Sequence, residues 1–133
     1  MDGKRVVPAL IVGLLLAALP MLAHHSFAAQ YDETSVVTVT GKITKVIWKN
    51  PHVILNVDVT GDDGLVANWQ MQMGSPNGLM QQGWKVDSLK PGDRVTVSGF
   101  QAKDGSRAAS ARRVVVGAQG KVYSAPVDGR TRK

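Results

Sequence analysis

The sequence predicts a small all-β domain with one short helix, and three features indicate this class. Apolar residues alternate with polar residues in several blocks after residue 35, as in strands with one buried face. Turns that contain glycine separate these blocks. The chain has no cysteine, so neither disulfides nor thiolate metal ligands can stabilise the domain, and its stability must come from packing.

The first strand begins at Ser35 and presents one apolar face up to residue 43. Val46 and Trp48 then take the opposite phase. This change of phase predicts a bulge near Thr44-Lys45 that bends a long strand. Asn50-Pro51 ends the strand, because proline has no N–H to donate to a neighbouring strand.

The second and third strands form a predicted hairpin. They alternate over residues 53–59 and 65–73, and Gly61-Asp62-Asp63-Gly64 between them is a strong turn sequence. One face of the pair is apolar and includes Met71 and Met73. We therefore predict that these methionines pack in the core, where methionine fills irregular space, rather than hold Cu(I) through their sulfur atoms.

A short helix and two more strands complete the domain. Ser75 caps the helix, Pro76 occupies its first position and Gly83 ends it. Two strands follow, over residues 95–100 and up to Val116, and the tail adds at most an edge segment at residues 121–123. Three strands, a helix and two strands is the order of the OB-fold. We predict a small five-stranded OB-like β-barrel, with an open β-sandwich as the alternative.

The amino-terminal residues have the composition of a secretory signal peptide. Lys4 and Arg5 precede an apolar run over residues 9–19, and Pro20 and Ala23 follow it. The run is shorter than the roughly 20 residues of a membrane span. We predict a signal peptide over residues 1–23 with cleavage after Ala23, and a periplasmic or secreted product without a transmembrane span. The remaining chain divides into an extended segment (24–34), the barrel domain (35–117) and a basic, flexible tail (118–133).

The three histidines suggest a metal site. Cleavage after Ala23 would give His24 a free α-amine beside its imidazole, and His25 or His52 could add a further nitrogen ligand. Such nitrogen ligands in tetragonal geometry suit Cu(II). The alternative interpretation is a solvated histidine end and a histidine that merely follows a proline turn.

The outer faces of the second and third strands carry amide side chains. In OB-folds this face binds oligosaccharides or oligonucleotides, and amides both donate to and accept from hydroxyl groups. The predicted ligand face consists of Trp48, Asn56, Asn68, Gln70 and Gln72. An ordinary solvated sheet face is the alternative.

The sequence contains no catalytic motif: no Gly-x-Ser-x-Gly elbow, no P-loop and no His-Glu-x-x-His. We therefore predict a non-enzymatic binding module of an unidentified small ligand, leaving open a copper-dependent redox role at His24. The second hypothesis is a Cu(II)-binding protein. The third is a structural partner of an envelope protein that docks through the sheet edge or the basic tail. The net charge of +6 is not concentrated in one patch, and we expect no nucleic-acid partner.

Five motifs together resemble an exported bacterial family known as domain of unknown function 6152. They are His24-His25-Ser26-Phe27, Asn50-Pro51-His52, Gly74-Ser75-Pro76-Asn77, Gly83-Trp84 and Leu89-Lys90-Pro91-Gly92-Asp93. The resemblance implies export and a small β-barrel, and it implies no activity. Gln30 and Gln72 stand where acidic residues are expected, so a family site that used those carboxylates would be weakened here.

Overall fold

The strands and the helix follow each other in the predicted order. A computed structural model describes residues 27–118 and 120–124. Residues 27–30 are helical. The later elements are β1 (Tyr31–Ile47), β2 (Ile54–Thr60), β3 (Val66–Gln72), α1 (Pro76–Gln81), β4 (Arg94–Ala102), β5 (Ala108–Val116) and β6 (Lys121–Ser124). The short β6 lies at the predicted edge segment.

Five of these strands close into a ring. The strand order is β3-β2-β1-β4-β5-β6, and β3 also pairs with β5. The β3–β5 pairing is parallel, whereas the other neighbours are antiparallel. The ring β1–β5 is the OB-like arrangement that the order of elements predicts. Because β3 pairs with β5, the sheet is closed, and the alternative of an open β-sandwich does not describe it. The strand β6 extends the sheet outside the ring through its pairing with β5.

The first strand begins earlier than the sequence predicts. β1 begins at Tyr31, which pairs with Ala102 of β4 and is 7% exposed. The register between β1 and β4 shifts between Tyr31 and Val36, so the polar residues in between break the alternation that would reveal a strand. Residues 31–34 of the predicted extended segment therefore belong to β1.

The predicted bulge in β1 is confirmed. The register with β2 shifts between Ile43 and Lys45, which leaves Thr44 as the extra residue. Ile43 therefore faces the core before the bulge and Val46, opposite Leu55, faces it afterwards.

The core fills the ring and continues into the segment after β3. Met71 and Met73 are fully buried, which confirms their predicted place in the core. The hydroxyl of Ser75 accepts the N–H of Gly78 at 3.2 Å and caps α1. Gly83 has a φ of 93° and ends the helical segment. Leu79 is thereby held in the core, with Trp84 close behind it in the chain. The buried cluster comprises Val39, Ile43, Val53, Leu55, Val57, Met71, Met73, Leu79, Trp84, Leu89, Val95, Val97, Ala109, Ala111 and Val114.

Candidate functional site

The predicted amide side chains lie together on the outer face of β2 and β3. Asn56 stands opposite Gln70, and Gln72 stands opposite Ile54. Asn68 follows one step further along β3, opposite Asp58. The sheet thus brings all four amides of the predicted ligand face onto two adjacent strands.

Asn68 is held by its neighbours on this face. Its Nδ2 donates to Asp58 Oδ1 at 2.8 Å and lies 3.4 Å from Thr44 Oγ1. The Thr44 hydroxyl donates in turn to the carbonyl of Asn56 at 3.3 Å. The Oδ1 atom of Asn56 is buried and has no hydrogen-bond partner among the described residues. The Asn68 amide is therefore already engaged by neighbouring side chains, and the acceptor of Asn56 is buried, which reduces what this face can offer a saccharide.

Gln72 is bound by the first residue of β1. The Tyr31 hydroxyl donates to Gln72 Oε1 at 3.0 Å and so links β1 to β3. Burial raises the pKa of Tyr31, and the negative charge of Asp104 raises it further. The N–H and hydroxyl of Ser106 are hydrogen-bonded to the Asp104 carboxylate, which lowers the pKa of Asp104. Gln72 therefore has a structural partner at the position where an acidic residue was expected.

Trp48 lies outside the two strands that carry the amide side chains. It follows the end of β1, is half-buried and packs against the core cluster. The structure therefore provides no support for Trp48 as the stacking surface of the polar face.

His52 lies in the connection between β1 and β2. Its side chain is half-buried, and its Nδ1 is buried without a hydrogen-bond partner among the described residues. The predicted partners His24 and His25 lie outside those residues. Within residues 27–118 and 120–124, no three histidine, aspartate or glutamate side chains are grouped so that they could hold a metal ion.

A groove at the β2–β3 hairpin is lined by both apolar and charged residues. Its volume is about 480 Å³, within the range of about 300–1,000 Å³ that is usual for ligand sites. It lies where β3 begins, whereas α1 follows the other end of that strand. The lining residues are Val59, Gly61, Asp63, Leu65, Val66, Ala67, Trp69 and Arg107.

The hairpin turn shapes one wall of the groove. The Asp63 carboxylate accepts the N–H of Leu65 at 2.9 Å, and Gly64 has a φ of 78°. This turn leaves Leu65 71% exposed and Val66 61% exposed. The predicted third strand begins at residue 65 with an apolar residue, but the turn places Leu65 before β3 and at the rim of the groove.

Trp69 and Arg107 give the groove its chemistry. Trp69 stands opposite Val57, is half-buried and packs against the core, yet it also lines the groove. The main-chain carbonyl of Arg107 accepts the N–H of Gln70 at 3.0 Å, which fixes this residue beside β3. Its guanidinium has neither a hydrogen-bond partner nor an ion pair within the described part of the chain. An aromatic surface and an available cation therefore line one concavity.

Sequence reasoning missed both residues. Trp69 alternates in phase with the core residues of β3, and Arg107 follows a turn that explains its polarity. Leu65-Val66 was the local indication of an exposed apolar surface here, because two adjacent apolar residues at the start of a strand cannot both face the core.

A model described as "Family of unknown function (DUF6152)" matches residues 12–111. The chain belongs to this family. The match includes the whole of β1 to β4 and reaches into β5, so the family covers most of the ring, including the groove. No curated protein matches the chain. None of the helices in the described ranges has the length and apolar character that a membrane crossing requires.

Proposed function

We propose that this member of the family is a non-enzymatic binding module whose ligand occupies the groove at the β2–β3 hairpin. The observation that carries the proposal is the presence on one concavity of Trp69 and of Arg107, whose guanidinium has no partner among the described residues. OB-folds commonly bind ligands on strands 2 and 3 with the loop between strands 4 and 5. Arg107 belongs to that loop, and Trp69 belongs to the third strand.

The lining residues specify the chemistry of the ligand. Val59, Ala67 and Trp69 offer an apolar surface, and Arg107 offers a planar cation suited to a carboxylate or similar anion. The Asp63 carboxylate lies in the hairpin turn and repels an anion there, which favours placing the anionic group at Arg107. The ligand class is an organic anion with an apolar body.

A titration with a simple amphipathic anion tests this proposal. Sodium laurate below its micelle concentration is added to the ¹⁵N-labelled protein, and amide shifts are followed by NMR. We expect shifts at groove residues and a loss of affinity of about tenfold or more in Arg107→Gln, because a hydrogen bond to a charged group contributes about 1.5–3 kcal/mol.

Arg113→Gln is the matched control for this titration. Arg113 is exposed on β5 and does not line the groove, so its replacement changes the net charge equally. The proposal would be contradicted if laurate shifted mainly amides outside the groove, or if Arg107→Gln and Arg113→Gln bound laurate with equal affinity.

We also propose that the protein works outside the cytoplasm, after removal of residues 1–23. The support is the sequence pattern of the leader. The test is the intact mass of protein recovered from the periplasmic fraction or the medium, which is expected to correspond to a chain that begins at His24. Material that keeps its leader, or that stays in the cytosol, contradicts export.

Cu(II) binding is the second candidate function, and it is favoured because the buried Nδ1 of His52 has no hydrogen-bond partner among the described residues. No hydrogen bond from the described residues fixes the tautomer of His52, so its ring is not already committed to a partner. In this proposal His24 supplies the α-amine and one imidazole, and His52 or His25 supplies the next nitrogen.

Cu(II) titration of the processed chain tests this second function. We expect His52→Ala to weaken binding and to change the electron paramagnetic resonance spectrum, because a nitrogen ligand is lost. His25→Ala is the companion variant that tests the local ligand. If His52→Ala leaves affinity and spectrum unchanged, a copper site supported by the folded domain is wrong.

A further inference from the structure

One side of β3 has an incomplete set of strand pairs. On its β2 side, every residue from Val66 to Gln72 has a partner. On the opposite side the pairing with β5 involves only residues 70–72. Within the described residues, no strand covers Val66–Trp69 on that side, so the ring has a seam that is paired over only part of the length of β3.

The direction of the main-chain groups along this seam follows from three hydrogen bonds. The carbonyl of Leu65 accepts from Gly61 at 2.9 Å, and the N–H of Met73 donates to Val53 at 2.7 Å, both toward β2. The N–H of Gln70 donates to Arg107 at 3.0 Å, away from β2. Alternate residues of a strand point their N–H and C=O groups to the same side. Val66 and Asn68 therefore direct their main-chain groups toward the uncovered side.

This open edge coincides with the groove. Val66, Ala67 and Trp69 belong to both, and Arg107 lies beside the point where pairing with β5 begins. Proteins usually protect exposed strand edges with lysine, proline or a covering element. Residues 66–69 contain neither lysine nor proline.

We propose that this edge binds an extended polypeptide segment as an added strand, with an acidic side chain of the segment at Arg107. The inference rests on the proposed function, because it names the occupant of the same groove. Main-chain donors and acceptors in a row are complemented by another polypeptide in strand conformation. Four edge residues span about 13 Å, which matches a segment of about four residues.

The occupant has a defined chemical character. Its successive side chains point to opposite faces of the sheet, so those on one face contact Val66 and those on the other contact Trp69. Its carboxylate pairs with the guanidinium of Arg107. A basic segment is disfavoured at Arg107, and a helical segment cannot supply unpaired main-chain groups.

Matched peptides test the strand addition. The probe is the acetylated and amidated hexapeptide Thr-Val-Thr-Val-Thr-Asp, added to the ¹⁵N-labelled full chain. Two further versions carry N-methyl groups on alternate residues, one version for each edge of the peptide strand. We expect the amides of Val66 and Asn68 to shift. One methylated version should bind at least tenfold more weakly than the parent, and the other should bind like the parent.

Two substitutions at one position test the edge from the side of the protein. Val66→Pro removes an N–H on the open side, and proline is tolerated at the first residue of an edge strand. Val66→Ala keeps the N–H and shortens the side chain. We expect Val66→Pro to weaken peptide binding about tenfold and Val66→Ala to weaken it less. The peptide series decides the question if Val66→Pro fails to fold.

The outcomes separate this inference from the proposed function. Laurate binding in the groove without peptide binding keeps the proposed function and overturns the added strand. Equal binding of both methylated peptides also overturns it. A dimer that sedimentation detects in the wild type and not in Val66→Pro assigns the edge to self-association and overturns a separate partner. Loss of both laurate and peptide binding contradicts the two proposals together.

Discussion

We expect Tyr31 to make the stability of the domain fall at alkaline pH. Because burial raises its pKa, the folded chain keeps the phenol protonated at pH values where the unfolded chain ionises. This contribution is complete below the ordinary tyrosine pKa of about 10 and is lost as the pH rises toward the folded pKa. We expect the free energy of unfolding to fall less steeply between about pH 9 and pH 11 in Tyr31→Phe. Urea denaturation at several pH values measures this.

A second substitution separates ionisation from the hydrogen bond. Gln72→Met removes the acceptor of the Tyr31 hydroxyl but keeps the buried phenol. We expect it to lower stability by about 1 kcal/mol while retaining the alkaline loss. A wild-type pH dependence in Tyr31→Phe would show that Tyr31 is not its source.

At the scale of elements, Trp84 fastens β6 to the rest of the domain. Its Nε1–H donates to the carbonyl of Ser124 at 2.8 Å, and its ring lies 4.3 Å from that of Tyr123, centroid to centroid. We expect Trp84→Phe to release β6, because the ring is largely kept while the hydrogen bond is lost. Hydrogen exchange should show β6 amides exchanging roughly fivefold faster than the global change in stability explains, since such a bond contributes about 1 kcal/mol.

Leu89→Ala provides the comparison for this experiment. Leu89 is buried in the same core cluster, and its truncation lowers global stability through a cavity. If Trp84→Phe raises the exchange rates of β6 amides and β2 amides by the same factor, the proposed anchoring role of Trp84 is wrong.

At the scale of the whole molecule, the ring is expected to open at the β3–β5 seam. β3 pairs with β2 through seven residues and with β5 through three. The amides of Gln70 and Gln72 face β5, whereas those of Met71 and Met73 face β2. We expect Gln70 and Gln72 to exchange faster than their neighbours, because fewer bonds must break together. Equal protection of the amides of residues 70–73 would mean that the ring opens as one unit.

The sequence predicts the parts of this fold that depend on local signals. The Gly61–Gly64 turn, the Ser75-Pro76 helix start and the change of phase at Thr44 each act over a few residues, and each is confirmed. The start of β1 was missed because the partners of Tyr31, Ala102 in the sheet and Gln72 through its hydroxyl, are distant in sequence.

The candidate site was harder to predict because it arises from ring closure. Trp69 has the alternation of a core residue, and only the groove at the start of β3 shows that it also lines a concavity. Arg107 has the sequence context of a turn residue. The amides were correctly placed on one face, but their hydrogen bonds to Asp58 and Tyr31 depend on registers that no local pattern encodes. The copper site at His24, His25 and His52 stays a prediction, because two of its three histidines lie outside the described residues.

The stretch Val66–Trp69, which has no strand neighbour on one side among the described residues, also affects how the protein behaves in concentrated solution. Strand edges that are open on one side and carry β-branched or aromatic residues are templates for intermolecular cross-β stacking. Precipitation during overexpression or storage should therefore originate at these four positions. A charged replacement such as Val66→Lys is therefore expected to keep the protein soluble at the concentrations that crystallisation requires.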